Sequence, residues 1–206
     1  MTFALTFEGC KGSRRKKMKL KGNFIYENIE ELKKAIQEKS IKVEDELITE
    51  DIDGEAIYVV ANITDKEIAL VRKFVLRDPR PRRYKYDLID WLNHDYKDTL
   101  DETLKAMMIA PEGQQLIDLP REVEVFGENE YGVPEEGSRW EYFKKLNNRI
   151  CGISENAEWS EWWWMNTQAR ASAAYFCACG NDGIADCPNA SDANFYVRPR
   201  FIIAIA

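Results

Sequence analysis

Three consecutive tryptophans, Trp162, Trp163 and Trp164, set the first constraint on this chain. Aromatic side chains bury about 150–250 Å² each, and soluble proteins rarely leave so large an apolar cluster in water. The triplet must therefore anchor the chain in a core or an interface. Downstream, residues 195–205 (FYVRPRFIIAI) read as a terminal strand rich in aromatic and β-branched residues, with Pro199 breaking the ladder at an edge or bulge. Whatever lies between is pinned at both ends.

What lies between is written in a different vocabulary. Residues 169–197 contain no Lys, Glu, Gln, Met or Trp, although 32% of the chain is charged. Gly, Asn, Asp, Ser and Pro punctuate turns, so a loop-rich β segment accounts for the composition. Composition alone favours that account; the pinned flanks bring in a second, a surface whose side chains vary over a backbone fixed by a rigid scaffold.

With 206 residues, 45% of them hydrophobic, the chain can bury one substantial core plus a small appendage. A net charge of −7 and a pI near 5.0 argue against a general nucleic-acid binder, which needs a basic surface to displace counterions from phosphate. The exception is Arg14-Arg15-Lys16-Lys17, with Lys19 and Lys21 behind it, read as a solvated tether or packing arm. No run approaches the 18 or so apolar residues of a membrane span, and the first ten residues lack the pattern of a secretion signal. The expected location is a bacterial cytoplasm or a phage virion, without membrane insertion. Five cysteines, Cys10, Cys151, Cys177, Cys179 and Cys187, are odd in number and sparse, so reduced thiols are expected.

The periodicities predict an α+β fold. Residues 28–38 form an amphipathic helix with Ile29, Leu32 and Ile36 on one face and Asn28 as N-cap. Strands at 46–49, 56–61 and 67–75, joined by Asp53-Gly54 and Thr64-Asp65 turns, make an antiparallel meander. Two helices follow a proline-rich loop, at 84–93 with Leu88, Ile89 and Leu92 inward, and at 99–109 with Leu100, Leu104 and Met107 inward. Residues 121–126 alternate as a strand, 127–137 form a loop, and 140–150 form a helix presenting Trp140, Phe143 and Leu146 to the core. The single histidine, His94, lies at a polar helix end and reads as solvated or capping, because imidazole triads and multi-histidine metal sites need more than one such group or a partnered one. No catalytic residue is assigned.

The order Trp163-Trp164, Ala173-Ala174-Tyr175-Phe176, Asp182-Gly183, a short polar run, then Val197-Arg198-Pro199 resembles the C-terminal signature of C-type-lectin-like domains of the formylglycine-generating-enzyme superfamily. It is most similar to bacterial and phage domains of unassigned function and to variable proteins of diversity-generating retroelements. Upstream, an opening hairpin at 54–60 and 68–71, a helix at 86–93, and Val123-Glu124-Val125-Phe126 before Glu130-Tyr131-Gly132 extend the likeness over residues 42–206. The resemblance implies a C-type-lectin-like fold with short antiparallel strands, two or more helices and a loop-rich C-terminal region, preceded by an extension, 1–41, carrying a short helix.

It also implies a function. In retroelement targets the adenines of the coding sequence are randomised, and an AAC or AAT codon can never become Lys, Glu, Gln, Met or Trp, the five types missing from 169–197. The implied protein binds another protein or a surface ligand through Asn166, Gln168, Arg170, Ser172, Tyr175, Cys177, Cys179, Asn181, Asp182, Ile184, Asp186, Asn189, Ser191, Asp192, Asn194 and Tyr196. Tyr gives contact area at low entropy cost, and Asn, Ser and Gly adapt their hydrogen bonds. Because strand side chains alternate, about half of these should point inward. Gln168 fits least, since that mutagenesis does not readily create it.

The alternatives within the resemblance are a copper oxidase using Cys177 and Cys179, whose soft thiolates suit copper(I), and a structural phage or prophage component. Asn181, Asp182, Asp186, Asn189, Asp192 and Asn194 are hard oxygen donors that could suit calcium, yet the sugar-binding motifs of the fold are missing and turn formation explains them, so no cofactor or metal is assigned. Arg198, inside an apolar strand, demands a carboxylate or carbonyl partner and is read as a structural residue.

Overall fold

The computed structural model describes residues 23–83 and 87–205. The basic run at 14–17 with Lys19 and Lys21, Cys10, and the first residues of the helix expected at 84–93 lie outside the described residues. A run of strands, a run of short helices and a closing run of strands, paired mostly antiparallel, make an α+β fold.

A short strand β1 (Ile25–Tyr26) leads into helix α1 (Ile29–Gln37), where the Asn28 side chain accepts from the Glu31 N–H as N-cap. The meander follows as β2 (Glu46–Asp51), β3 (Gly54–Ile63) and β4 (Glu67–Arg72). Gly54, at φ 90°, makes the first turn, and the Thr64 hydroxyl accepts from the Lys66 and Glu67 N–H groups in the second. The described part of the 1–41 extension is no appendage. β1 pairs in parallel with β2, while Leu32 and Ile36 of α1 enter the same core as the meander.

The helical region is broken into shorter pieces than periodicity predicts. Asp87 caps α2 (Leu88–Trp91), which widens into a π turn over Leu92–Tyr96 and tightens over Lys97–Thr99. Asp101 caps α3 (Glu102–Lys105), its carboxylate accepting from the Thr103 and Leu104 N–H groups. The helix expected to reach 109 stops early because β5 (Met108–Ile109) is captured by the C-terminal strand, as is β6 (Ile117–Asp118). Among the described residues no helix is long and apolar enough to cross a membrane.

Two segments depart from expectation more sharply. Residues expected as a strand at 121–126 form α4 (Glu122–Phe126). Its polar and apolar residues alternate, but all five are buried, so alternation here did not mark a solvent face. Both helix ends are satisfied locally: the Arg121 N–H donates to the Glu124 carboxylate at 2.8 Å, and Gly127 ends the helix in the left-handed region at φ 84°. The helix expected at 140–150 is two 3₁₀ turns, Glu141–Lys144 and Leu146–Asn148, separated by Lys145 in an extended conformation. Trp140 and Phe143 point inward as expected, but Leu146 is 47% exposed.

The chain ends in β7 (Trp163–Gln168), β8 (Phe176–Cys179), β9 (Ala185–Asp186) and β10 (Arg200–Ala204). β10 is not an edge. It lies between β4 on one side and β5 and β6 on the other, in the sheet ordered β1-β2-β3-β4-β10-β5. Pro199 accordingly stands just before β10, offering its carbonyl to the Arg72 N–H, where its missing N–H breaks no ladder.

β7, β8 and β9 form a second, three-stranded sheet that is buried on both faces. Trp164, Phe176 and Ala178 enter one hydrophobic cluster with Val197, Phe201 and the helices; Trp163, Met165, Cys177 and Cys179 enter another with Val125, Phe143 and Ile202. Full burial of Trp163 and Trp164 stabilises the fold by roughly 4–6 kcal/mol each as an upper bound, from about 25 cal/mol per Å² over 150–250 Å². The third ring, Trp162, is half-buried and meets Phe195 edge-on.

Under the meander sits a buried ion pair. Arg72 Nε donates to Asp51 Oδ2 at 2.7 Å, and its Nη1 donates to the Phe74 and Val75 carbonyls. The Tyr96 hydroxyl donates to the same Asp51 oxygen at 2.8 Å and touches the Tyr58 hydroxyl, tying α2's π turn to the sheet. Burial and then neighbouring charge push both phenols well above the ordinary tyrosine range. Arg72→Met should lower the unfolding free energy by about 3–5 kcal/mol, because it strands a buried carboxylate. Adding Asp51→Asn should recover a large part of that loss, and urea unfolding of the single and double variants measures the non-additivity.

Candidate functional site

Since both faces of the β7–β8–β9 sheet are largely covered, its connecting loops, with Asp186 at the end of β9, form most of what reaches solvent. The β7–β8 loop and the segment after β9 meet at one end. Ala169 N–H donates to the Tyr175 carbonyl, Tyr175 bridges to Asn189, and Ala190 N–H donates to the Ala174 carbonyl. The β8–β9 turn occupies the other end, closed by Gly180 N–H on the Ile184 carbonyl, with Gly183 at φ 78°. The rise of four residues along β8 separates the ends by about 13 Å.

The structure divides the expected binding residues accordingly. Arg170, Ser172, Tyr175, Asp186, Asn189, Ser191 and Asn194 are exposed around the first end, with Asp192 half-buried among them. Asn181, Asp182 and Ile184 are exposed at the second, Ile184 at 59%. Asn166, Gln168 and Tyr196 are half-buried. Asn166 is held by structure, its Oδ1 accepting from Arg82 Nη2 at 2.7 Å. Cys177 and Cys179 are corrected: both are completely buried and contribute nothing to a surface. They do share a strand face, as residues two apart must, but that face lies against Val125, Phe126 and Phe143.

Burial also governs the chemistry of these thiols. Desolvation lifts Cys179 to about 12, against the opposing pull of Arg198 and Arg149. It lifts Cys177 further, helped by the charge of the nearby Glu122 carboxylate. Thiols held protonated attack slowly at neutral pH and, until they lose the proton, are poor copper(I) ligands. Among the described residues, no group of three or more His, Cys, Asp or Glu is placed to hold a metal ion. The hard oxygens considered for calcium serve as turn acceptors: Asp182 takes the Ile184 N–H, Asn189 the Ser191 N–H and hydroxyl, and Asp192 the Asn194 N–H. His94 is exposed, one ring nitrogen 2.7 Å from the Asp90 carbonyl.

The loop at 127–137 completes the first end. Val133 N–H donates to the Gln168 carbonyl, Arg170 N–H donates to the Tyr131 carbonyl, and the Arg170 guanidinium reaches the carbonyls of Asn129 and Gly132. From below, Glu122 accepts the Tyr131 and Gly132 N–H groups at 3.0 and 2.8 Å, and its own N–H donates to Thr167. Tyr131 thus joins the surface beside Glu130, whose charge is the main cause raising its phenol above the ordinary range, and near Asp186 and Cys187. Sequence reasoning missed Glu122 because it took α4 for a strand. It missed Tyr131 because that residue's loop falls outside the unusual composition. It also passed over Trp159, 71% exposed on the loop before β7, although a lone tryptophan between acidic residues was visible in the sequence.

Residues 114–205 match a domain family of unknown function, DUF6273. The matched region holds the small sheet, its loops and β10 together. No curated protein and no solved structure matches the chain. In this chain the matched region is not self-contained, for β10 pairs with β4 and Arg198 donates to the carbonyls of Arg72 and Lys73, both outside it.

Gly132 is the tightest point of the arrangement. A methyl there would run into the Thr167 methyl and stand 2.6 Å from Glu122 Oε2. Gly132→Ala should destabilise the protein by about 1–3 kcal/mol through overpacking, with the loop at 127–137 losing amide protection before the meander does. Hydrogen exchange with a thermal melt checks both halves.

Proposed function

We propose that this protein is a non-enzymatic binding protein that presents variable loops of a C-type-lectin-like scaffold to a protein or surface ligand, as the target of a diversity-generating retroelement. One observation carries the reading: ten of the sixteen expected contact residues are exposed, nine on loops whose ends are fixed by buried strands and the tenth, Asp186, at the end of β9. Side chains there can change while the backbone stays, because most of the backbone's hydrogen bonds go to other backbone groups and the side-chain bonds of Asp182 and Asn189 are local and exposed. The five residue types missing from 169–197 are the second support. Arg170 is the exception within the exposed set, since its guanidinium holds the neighbouring loop.

A second reading, a structural phage or prophage component, draws on the apolar side chains at the other end. Ile184 and Leu146 are both exposed and lie on either side of Gly183, whose added methyl would stand 2.7 Å from Leu146 Cδ1. Such a pair suits a contact with another subunit.

Randomising Ser172, Tyr175, Asn181, Ile184, Asn189 and Ser191 together should give mostly folded proteins, each change shifting stability by no more than about 0.5 kcal/mol. Far-ultraviolet circular dichroism and thermal melts of a few dozen library members test this, and a majority that fail to fold would overturn the reading. The neighbouring DNA should hold a reverse transcriptase and a near-identical repeat of the last coding stretch differing at adenines. Arg170→Ala, in contrast, should loosen the loop at 127–137.

A further inference from the structure

Cys177 and Cys187 face each other across the β8–β9 ladder. The register pairs Cys179 with Ala185 and Ala178 with Asp186, and the Phe176 N–H donates to the Pro188 carbonyl at 3.2 Å, so the same register runs on past the ends of both strands. Cys187 is therefore opposite Cys177. The hydrogen bonds of the ladder, Gly180 to Ile184 and Phe176 to Pro188, fall on even-numbered residues of β8, which puts Cys177 and Cys187 at a non-hydrogen-bonded pair. At such pairs the Cα atoms stand about 4.5 Å apart and the side chains lie on the same face. Disulfides span Cα separations of about 4.4–6.8 Å, so this pair is within reach at the short end of the range.

Access and chemistry divide between the two. Cys177 is completely buried close to the charge of Glu122, whereas Cys187 is half-buried and open to a small reagent. We propose that Cys187 and Cys177 form a thiol–disulfide exchange site for low-molecular-weight disulfides such as oxidised glutathione, with Cys187 the attacked-first thiol and Cys177 the resolving one. The Cys187 thiolate attacks one sulfur of the reagent, forming a mixed disulfide and expelling one glutathione thiolate. Cys177 then loses its proton to solvent base, and its sulfur attacks Cys187, expelling the second glutathione. Two protein thiols and one glutathione disulfide become one protein disulfide and two glutathione thiols, with two electrons passing to the reagent and both protons ending on the products. The bond would staple the hairpin that carries Asn181, Asp182 and Ile184. It does not depend on the binding reading.

The test uses the reduced full-length protein incubated with oxidised glutathione, then quenched by alkylation and mapped by peptide mass. The expected product is a linked pair of peptides containing Cys177 and Cys187, lighter by two hydrogens than the reduced pair, with dithiothreitol restoring both thiols. Cys177→Ser should instead stop at a stable glutathione adduct on Cys187. Formation should accelerate as pH rises from neutral to alkaline, because both thiols are shifted upward by burial and by neighbouring acidic charge. Wild-type protein that accumulates the Cys187 adduct without closing it, or that links either cysteine to Cys151 or Cys179, would overturn the proposal. So would a Cys187 that stays unmodified throughout.

Discussion

The Arg198 guanidinium is the junction on which the rest of the structure depends. Its Nε donates to the Arg72 carbonyl at the end of β4, its Nη1 to the Asn148 carbonyl, and its Nη2 to the Lys73 carbonyl. The rings of Trp163, Phe143 and Tyr142 close around it at 5.1 to 5.7 Å from its centre. One fully buried side chain thus joins the main sheet, the 3₁₀ turns after Trp140 and the small sheet. A planar fork with five donors can satisfy carbonyls arriving from three directions, which the compact ammonium of a lysine could not. Carbonyls and ring faces, in place of a carboxylate, meet the demand of a charge inside an apolar strand.

That junction explains where a surface can exist. With β10 central in the main sheet and Trp163 and Trp164 pressed into clusters on opposite faces, the small sheet has no wet side. What the small sheet exposes lies mostly on its loops, and the loops are divided between two ends. The first gathers Tyr131, Arg170, Tyr175, Asp186 and Asn189; the second gathers Asn181, Asp182 and Ile184, beside Leu146. Glu122 supports the first end from beneath by holding two backbone N–H groups, and Tyr131 packs against the core, so the loop at 127–137 keeps its place.

The meander was legible because its signals are local. Alternation of apolar residues, Gly54 with its positive φ and the Thr64 turn all act within a few residues. The α1 cap at Asn28 was legible for the same reason. The strand expected at 121–126 failed because five residues give too little length to separate an alternating strand from a helix buried all round, and the deciding contacts come from Thr167 and Gly132, far along the chain. The helix expected at 99–109 was cut short by β10, nearly a hundred residues away, taking Met108 and Ile109 into the sheet. Cys177 and Cys179 were placed on the correct common face, but which neighbours cover that face is a property of the packed sheet.

By itself the sequence determined that Trp163 and Trp164 are buried anchors, that an α+β chain opens with an antiparallel meander, and that residues 169–197 consist of turns and short strands. Hydrophobicity, capping and turn chemistry act over a few residues and leave their mark in order. The tertiary structure alone decided that β10 lies inside the sheet, that α4 is a helix, that both faces of the small sheet are covered, and which loops share an end. Those outcomes follow from pairings between distant segments, where burying apolar surface and satisfying backbone groups outweigh local preference.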